Sequence, residues 1–398
     1  MADTKAVVAP FSRPSDVTVV MDVRHPQPVQ GLGNMLILNF VDSASSAQLA
    51  PNAKASGTGS QASGTGITVP ADPDKLTDDE VLDGVLKKKV DKTTGALYRE
   101  YASLDAVAKH GYAEGTEVYS KASTYFAQDN HSDRVAVLDL SIDKMRDALE
   151  AFWYFNWTFG ILAKPFTDKK DLTDLTNIFE ANKDHFLVIQ TAEPTGFVDL
   201  IGQNYTIGLY HDLSEAMDSA FVGNIAMLPV GSTTWKFKTL NGITPDVLTS
   251  TEITSINHVN LNGYTTVFGK DQTTEGKVLS GEYIATLLGV VWVKTQMESS
   301  LEKLLQDNDK IPYEQRGINM VLATGTQVLN QASERGIILN DDNGKPDFSI
   351  TASPRDQQSA QDLSARHYGG LSFVYHASSA IHTILVHGTV NSDTILSA

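Results

Sequence analysis

Val135-Ala-Val-Leu-Asp-Leu140, Phe159-Gly-Ile-Leu-Ala163 and Phe186-Leu-Val-Ile-Gln190 are three short apolar runs. Between them lie segments with helical spacing, and that alternation decides the fold class. Each run is the length of a strand, while helices are predicted over 141–156 and 171–183. Working outward, further helices are predicted at 103–111, 114–127 and 212–220, and further apolar runs at Ile207–Tyr210 and Asn224–Leu228. Strands separated by helical segments of about 10 to 15 residues define an α/β layer. Ser141 is a plausible N-cap for the helix that follows it. That helix ends in Phe152-Trp-Tyr-Phe-Asn-Trp157, aromatic on every side, an end that must be buried or lie at an interface.

Upstream, Asp16–Val23 reads as a strand of β-branched residues. It is joined by His25-Pro-Gln-Pro28 and Gly31-Leu-Gly33 to a second strand, Met35–Phe40, and the two are expected to form an antiparallel pair. Residues 43–66 are mainly Ser, Ala, Gly and Thr, too poor in bulky side chains to pack, and 70–94 is polar and charged. The stretch 43–94 is therefore expected to be an exposed insertion. Downstream, hairpin-like strands are predicted around Ser255–Phe268, then helices over Tyr283–Gln306 and Tyr313–Arg335. In the second helix Ile318, Val321, Leu322, Val328, Leu329 and Ala332 share one face, and Gly336 stands where a left-handed cap belongs. Asp341-Asp-Asn-Gly344 signals a turn before a strand at 347–353, and an antiparallel pair, Leu371–His376 with Ala380–Val390, is expected to close the fold. The domain reading is an N-terminal arm and first core strands (1–40), a polar insertion (41–97), an outer α/β domain (98–250) and a C-terminal core domain (251–398).

The 398 residues carry 31 basic and 48 acidic side chains, a net charge of −17, with 41% apolar and 8% aromatic residues. Such a chain can bury a substantial core, and its charge repels phosphate backbones and acidic lipid alike, so neither nucleic acid nor membrane is an expected partner. There is no cysteine, which removes disulfides, thiolate metal sites and cysteine nucleophiles together. Met1–Pro14 has no apolar core of a secretory signal, and no apolar run approaches the roughly 20 residues of a spanning helix.

The search for reaction chemistry returns little. Four of the ten histidines lie between 367 and 387, but His382 and His387 are five positions apart and would face opposite sides of a strand, with no acidic residue between 367 and 390. Gly31-Leu-Gly33 and Gly57-Thr-Gly59 lack the lysine and helix start of a phosphate loop. A Gly-x-Ser-x-Gly elbow is absent. Asp341–Gly344 lacks the terminal glutamate of a calcium loop. No cofactor and no metal are expected, and the reading favours a structural role over an enzyme.

Taken in order, several segments resemble the sheath proteins of contractile phage tails. Val17-Thr-Val-Val-Met21 with Gly31-Leu-Gly-Asn-Met-Leu-Ile-Leu38 is similar to that family's N-terminal strand and Gly-x-Gly segment. Tyr101-Ala-Ser-Leu-Asp-Ala-Val-Ala108 and Val118–Gln128 resemble its first helix pair. Ile311-Pro-Tyr313, Gly317-Ile318, Val328-Leu-Asn-Gln-Ala332 and Arg335-Gly-Ile-Ile338 resemble its long helix and exit. Ala365-Arg-His-Tyr368, Leu371-Ser-Phe373 and Ala380–Val390 resemble its closing strands. The resemblance covers roughly three quarters of the chain by motif order.

The resemblance implies a mixed α/β (α+β) fold, with mixed sheets flanked by helices, a sheath-like core, a peripheral α/β domain and strand-forming arms at both ends. It implies a virion protein, assembled in the host cytoplasm, that polymerises in six-fold rings around a tail tube protein and meets baseplate and tail terminator proteins. Shortening of that sheath would drive the tube through the host envelope without consuming nucleotide. A tailocin or another contractile injection system would use the same subunit. From a different class, an α/β enzyme or a carbohydrate-binding module is the alternative. Val17, Val19, Met21 and Val23 share one side of a strand, as do Ile381, Thr383 and Leu385. These strands either join neighbouring subunits or pair within their own. In the family the C-terminal helices face the tube, which makes Lys294 and Lys303 the candidate tube-facing residues.

Overall fold

Runs that are apolar on both faces are stable only in a sheet covered on both sides, and the order of the runs then sets the topology. The computed structural model describes residues 32–41 and 73–387. In chain order the first half contains β1 (Met35–Phe40), α1 (Asp78–Asp83), β2 (Val85–Val90), β3 (Leu97–Tyr101), α2 (Leu104–His110), α3 (Glu117–Phe126), β4 (Val135–Leu140), α4 (Met145–Phe152), β5 (Phe159–Leu162), α5 (Lys169–Asn182), β6 (Phe186–Thr191), β7 (Thr206–Tyr210) and α6 (Met217–Ile225). The second half contains α7 (Ser250–His258), β8 (Tyr264–Val267), β9 (Lys270–Thr273), α8 (Ile284–Gln306), α9 (Gln315–Glu334), β10 (Phe348–Ala352), α10 (Ala360–Ala365) and β11 (Leu371–Tyr375).

Seven strands form one mixed sheet in the order β2-β3-β4-β1-β5-β6-β7. From β4 to β7 the pairs are parallel, while β2–β3 and β3–β4 are antiparallel. The fold class expected from the sequence is the observed one, a mixed sheet flanked by helices. β1 lies in the middle, with Met35 opposite both Val135 and Phe159, and Met35–Leu38 are wholly buried. Its expected antiparallel partner, 16–23, falls outside the described residues. Two-sided burial is the physical reason β1 joins parallel neighbours instead of projecting as an arm.

The segment 73–94, read as exposed insertion, forms α1 and the edge strand β2. Thr77 and Glu80 make a capping box, and Gly84 ends the helix at φ +99°. Lys87-Lys-Lys89 belongs to that edge: Lys88 pairs with Glu80 at 3.0 Å, Lys89 with Asp74, and Lys87 lies 3.9 Å from the Phe155 ring centre. A lysine-rich edge strand reads as a solvated loop because its outward face is polar.

Three further expectations are corrected. Asn224–Leu228 is not a strand: α6 runs to Ile225, and because it is buried almost all round its helical period is hidden in the sequence. The hairpin predicted from Ser255 begins later, since Thr249 and Glu252 form a second capping box that starts α7, and only β8 and β9 make the hairpin. The partner of β11 is β10, with Ile350 opposite Phe373, and 380–387 contains no strand.

The aromatic end of α4 is core. Trp153 and Trp157 are completely buried at 5.4 Å between ring centres, His185 lies against both, and Trp153 Nε1 donates to Asp184 Oδ1 at 2.7 Å. Tyr154 and Phe155 are only half-buried.

Candidate assembly surface

The C-terminal third is built on two long helices. The first half of α8 is buried, including Leu287, Val291 and Met297, and α9 contributes Ile318, Val328, Leu329 and Ala332. Gly336 ends α9 at φ +78°, where a Cβ would meet the Gly231 carbonyl oxygen at 3.1 Å, so the α9 exit and the 229–233 loop pass at backbone contact. The β10–β11 ribbon lies on these helices. Phe348, Ile350, Phe373 and Tyr375 turn inward, while Ser349, Thr351, Ser372 and Val374 face out. A two-stranded ribbon is too small to be stable alone and depends on that helical platform. Neither outer edge of the ribbon is paired to another strand among the described residues.

Beyond β11 the chain runs in extended form across the α8 start. His382 roots it: Nε2 lies 2.8 Å from Thr234 Oγ1, and the ring meets Tyr283 edge-on at 4.7 Å. Burial, reinforced by Lys236, holds this imidazole below its usual pKa. On either side of this root, Ile381, Ile384, Leu385 and Val386 are between 79% and 82% exposed. Four bare aliphatic side chains in six residues form an apolar patch that water does not favour.

Among the residues singled out from sequence, Ile381, Thr383 and Leu385 are thus exposed on this arm. Val17, Val19, Met21 and Val23 lie outside the described residues. Lys303 is exposed on the last turn of α8. Lys294 is 1% exposed, with Nζ 3.6 Å from Glu298 of its own helix, so burial removes it as a tube-facing residue in this conformation. Ile384 and Val386 were missed; the unbroken Ile-Leu-Val run at 384–386 was the available signal.

Two buried titratable groups, Asp139 and His211, are held in hydrogen-bond networks. Asp139 accepts from Tyr112 Oη at 2.5 Å and Asn39 Nδ2 at 2.6 Å, and burial pushes its carboxyl above the usual range. Burial opposes charge on His211, yet Asp246 and Glu215, at 2.9 and 3.0 Å, hold its pKa above the ordinary value. No group of three or more side chains able to hold a metal is found among the described residues, and no helix there is long and apolar enough to cross a membrane.

Glu180 yields a pH prediction. Its carboxylate accepts from the Tyr205 backbone N–H, but burial dominates and raises the pKa from 4.5 to about 7. A carboxyl with a raised folded pKa contributes stability fully below its unfolded value, and that contribution is lost as pH rises through about 7. The melting temperature is expected to fall between pH 5 and 8, and Glu180→Gln to flatten that fall. An identical pH slope in the variant contradicts it.

No family model and no curated protein sequence matches the chain. Solved structures do match along nearly its whole length. A chain of the anti-feeding prophage baseplate is 12% identical with a TM-score of 0.61, over 96% of this chain and 99% of that one. The sheath complex of an extracellular contractile injection system, PVC, in its contracted state gives 11% identity and 0.58, over 96% and 98%. The contracted helical sheath of the anti-feeding prophage gives 10% and 0.57, over 95% and 99%. A mixed α/β sheet joined to a helical platform with a small ribbon is the class these features define. More narrowly, it is the fold of contractile sheath chains.

Proposed function

We propose that this chain is the self-assembling subunit of a contractile sheath, the role common to a phage tail, a tailocin and a related injection system. The observation that carries the proposal is the exposed aliphatic arm at 381–386 on a chain whose fold matches sheath chains end to end. Strand addition to a neighbour's open β10 or β11 edge covers that arm and supplies main-chain hydrogen bonds. A tube protein inside the sheath, a baseplate that triggers it and a terminator that ends it are the partners this role requires. Lys303 remains the tube-facing candidate, and residues 17–23 the second arm. Under this reading the protein performs mechanical work and catalyses no reaction.

The test is negative-stain electron microscopy of the purified protein across a salt series. Striated tubes with six-fold rings are expected. Because each subunit carries −17, screening should promote assembly as salt rises from about 0.05 to 0.5 M, where the Debye length shrinks from about 14 to 4 Å. Light scattering that falls steadily with salt contradicts the charge argument. Dispersed particles that also fail to coat a tube overturn the sheath reading in favour of a binding module or enzyme.

A further inference from the structure

The β8–β9 hairpin turns on Phe268-Gly269, with Val267 opposite Lys270 and both turn residues at positive φ (+49° and +78°). Two-residue turns of this kind favour Asn, Asp or Gly at the first position, and a bulky residue there is strained. Phe268 is nevertheless fully exposed, so no packing in its own subunit repays the strain. The chain beside β9 holds another phenylalanine at positive φ, Phe237 (+66°), but it sits at the Thr273 end of the strand, away from the turn, and its ring meets His382 edge-on at 6.2 Å. Lys270 follows the turn directly, and Lys238 on the neighbouring chain is close enough that burial, the larger cause, and Lys270 together depress the Lys238 pKa. Neither lysine has an ion-pair partner among the described residues, and Asp271 is engaged by Thr266 Oγ1 at 2.5 Å. On a chain with 17 more acidic than basic residues, this is an exposed aromatic turn with two lysines near it.

The complement is present on the same molecule. On α1, Val81 and Leu82 are exposed, and beside them stand exposed Asp78 and Asp79, which also have no ion pair among the described residues. The two patches do not meet within one subunit. α1 leads directly into β2 at one edge of the seven-stranded sheet. The hairpin hangs from β7 at the other edge, through the Leu209–Asn262 bridge and the Tyr210 N–H to Asn262 O bond of 2.9 Å. Six strand spacings separate the two edges, about 29 Å at roughly 4.8 Å each. We propose that the Phe268 hairpin of one copy docks on α1 of a second copy, Phe268 against Val81 and Leu82, with Lys238 and Lys270 facing Asp78 and Asp79. A contact between different surfaces of identical subunits is head-to-tail and propagates into a ring or a helix. The proposal deepens the self-assembly reading and rests on it, but concerns a contact distinct from the arm.

The cysteine-free chain makes the test direct. Leu82→Cys combined with Phe268→Cys, oxidised at assembly concentration, is expected to give a ladder of covalent oligomers, while each single variant stays monomeric. Charge exchange supplies the second arm. Lys238→Glu/Lys270→Glu alone and Asp78→Lys/Asp79→Lys alone are each expected to raise the concentration needed for assembly by about tenfold or more. An equimolar mixture restores assembly, because each hairpin then finds an oppositely charged α1. Tubes from the unmodified protein without a ladder leave the sheath reading standing and overturn this contact. A ladder without tubes supports the contact and removes the sheath. A Phe268→Cys single variant that cross-links to itself, or a mixture that assembles no better than its components, overturns the head-to-tail arrangement.

Discussion

A chain cut after Ala380 is expected to melt within about 2 °C of the 398-residue chain and to form no tubes at any salt concentration. The arm residues Ile381, Ile384, Leu385 and Val386 are exposed in the subunit, so their removal withdraws little packing from it. The His382 contacts to Thr234 and Tyr283 go too, but both partners lie at the surface of the α8 start. In the proposed arm contact the same four side chains would become buried. Each is then worth about 1.5–3 kcal/mol gross, or about 6–12 kcal/mol together before the cost of ordering. Losing that much at every joint exceeds what a polymer can absorb, since each 1.4 kcal/mol is tenfold in affinity. The pair Ile384→Asp with Leu385→Asp should have the same effect without shortening the chain. Electron micrographs and thermal melts of both variants check it, and tubes of normal width from either would sink the arm argument.

Trp153→Ala is expected to destabilise the subunit by about 3–5 kcal/mol, a large share of the roughly 5–15 kcal/mol available to a folded domain. Trp153 is completely buried, packed on Trp157 at 5.4 Å, Phe179 at 5.2 Å and His185 at 4.4 Å, and its indole donates to Asp184. Truncation leaves a cavity in that box and withdraws a hydrogen bond from a buried carboxylate. Tyr154→Ala, at a half-buried neighbour, should cost less. Urea unfolding followed by tryptophan fluorescence measures both. A loss below about 1 kcal/mol at Trp153 would mean that the box relaxes around the missing ring.

The parallel half of the sheet was legible because its strands are apolar on both faces and its helices are not, so period and composition agree at 135–140, 159–162 and 186–191. Legibility failed where burial or exposure masks the period. α6 is buried on nearly every side, and β2 shows lysines outward at an edge. The Thr249–Glu252 capping box was readable and was outweighed by the β-branched residues around it. Of the candidate assembly surface, the segment 381–386 could be seen as an aliphatic-rich run of strand length. Its partnerless state could not, because the choice of β10 over 380–390 as mate for β11 is decided by tertiary packing on α8 and α9. Phe268 offered no sequence signal, since an exposed phenylalanine and a core one look alike until the turn is known.

The large sheet and the β10–β11 ribbon differ in what their margins permit. On the large sheet the β2 side is fenced by Lys87-Lys-Lys89, and the β7 side is occupied by Asn262, whose backbone exchanges hydrogen bonds with Gly208 and Tyr210. Among the described residues the ribbon keeps margins that no other strand borders and that a foreign strand can join. If such subunits join through these margins as proposed, a filament of them would concentrate its compliance in thin main-chain hinges while the α/β bodies stay stiff. Large changes in length and pitch would strain the hinges, in which few side chains are packed, and leave each hydrophobic core undisturbed.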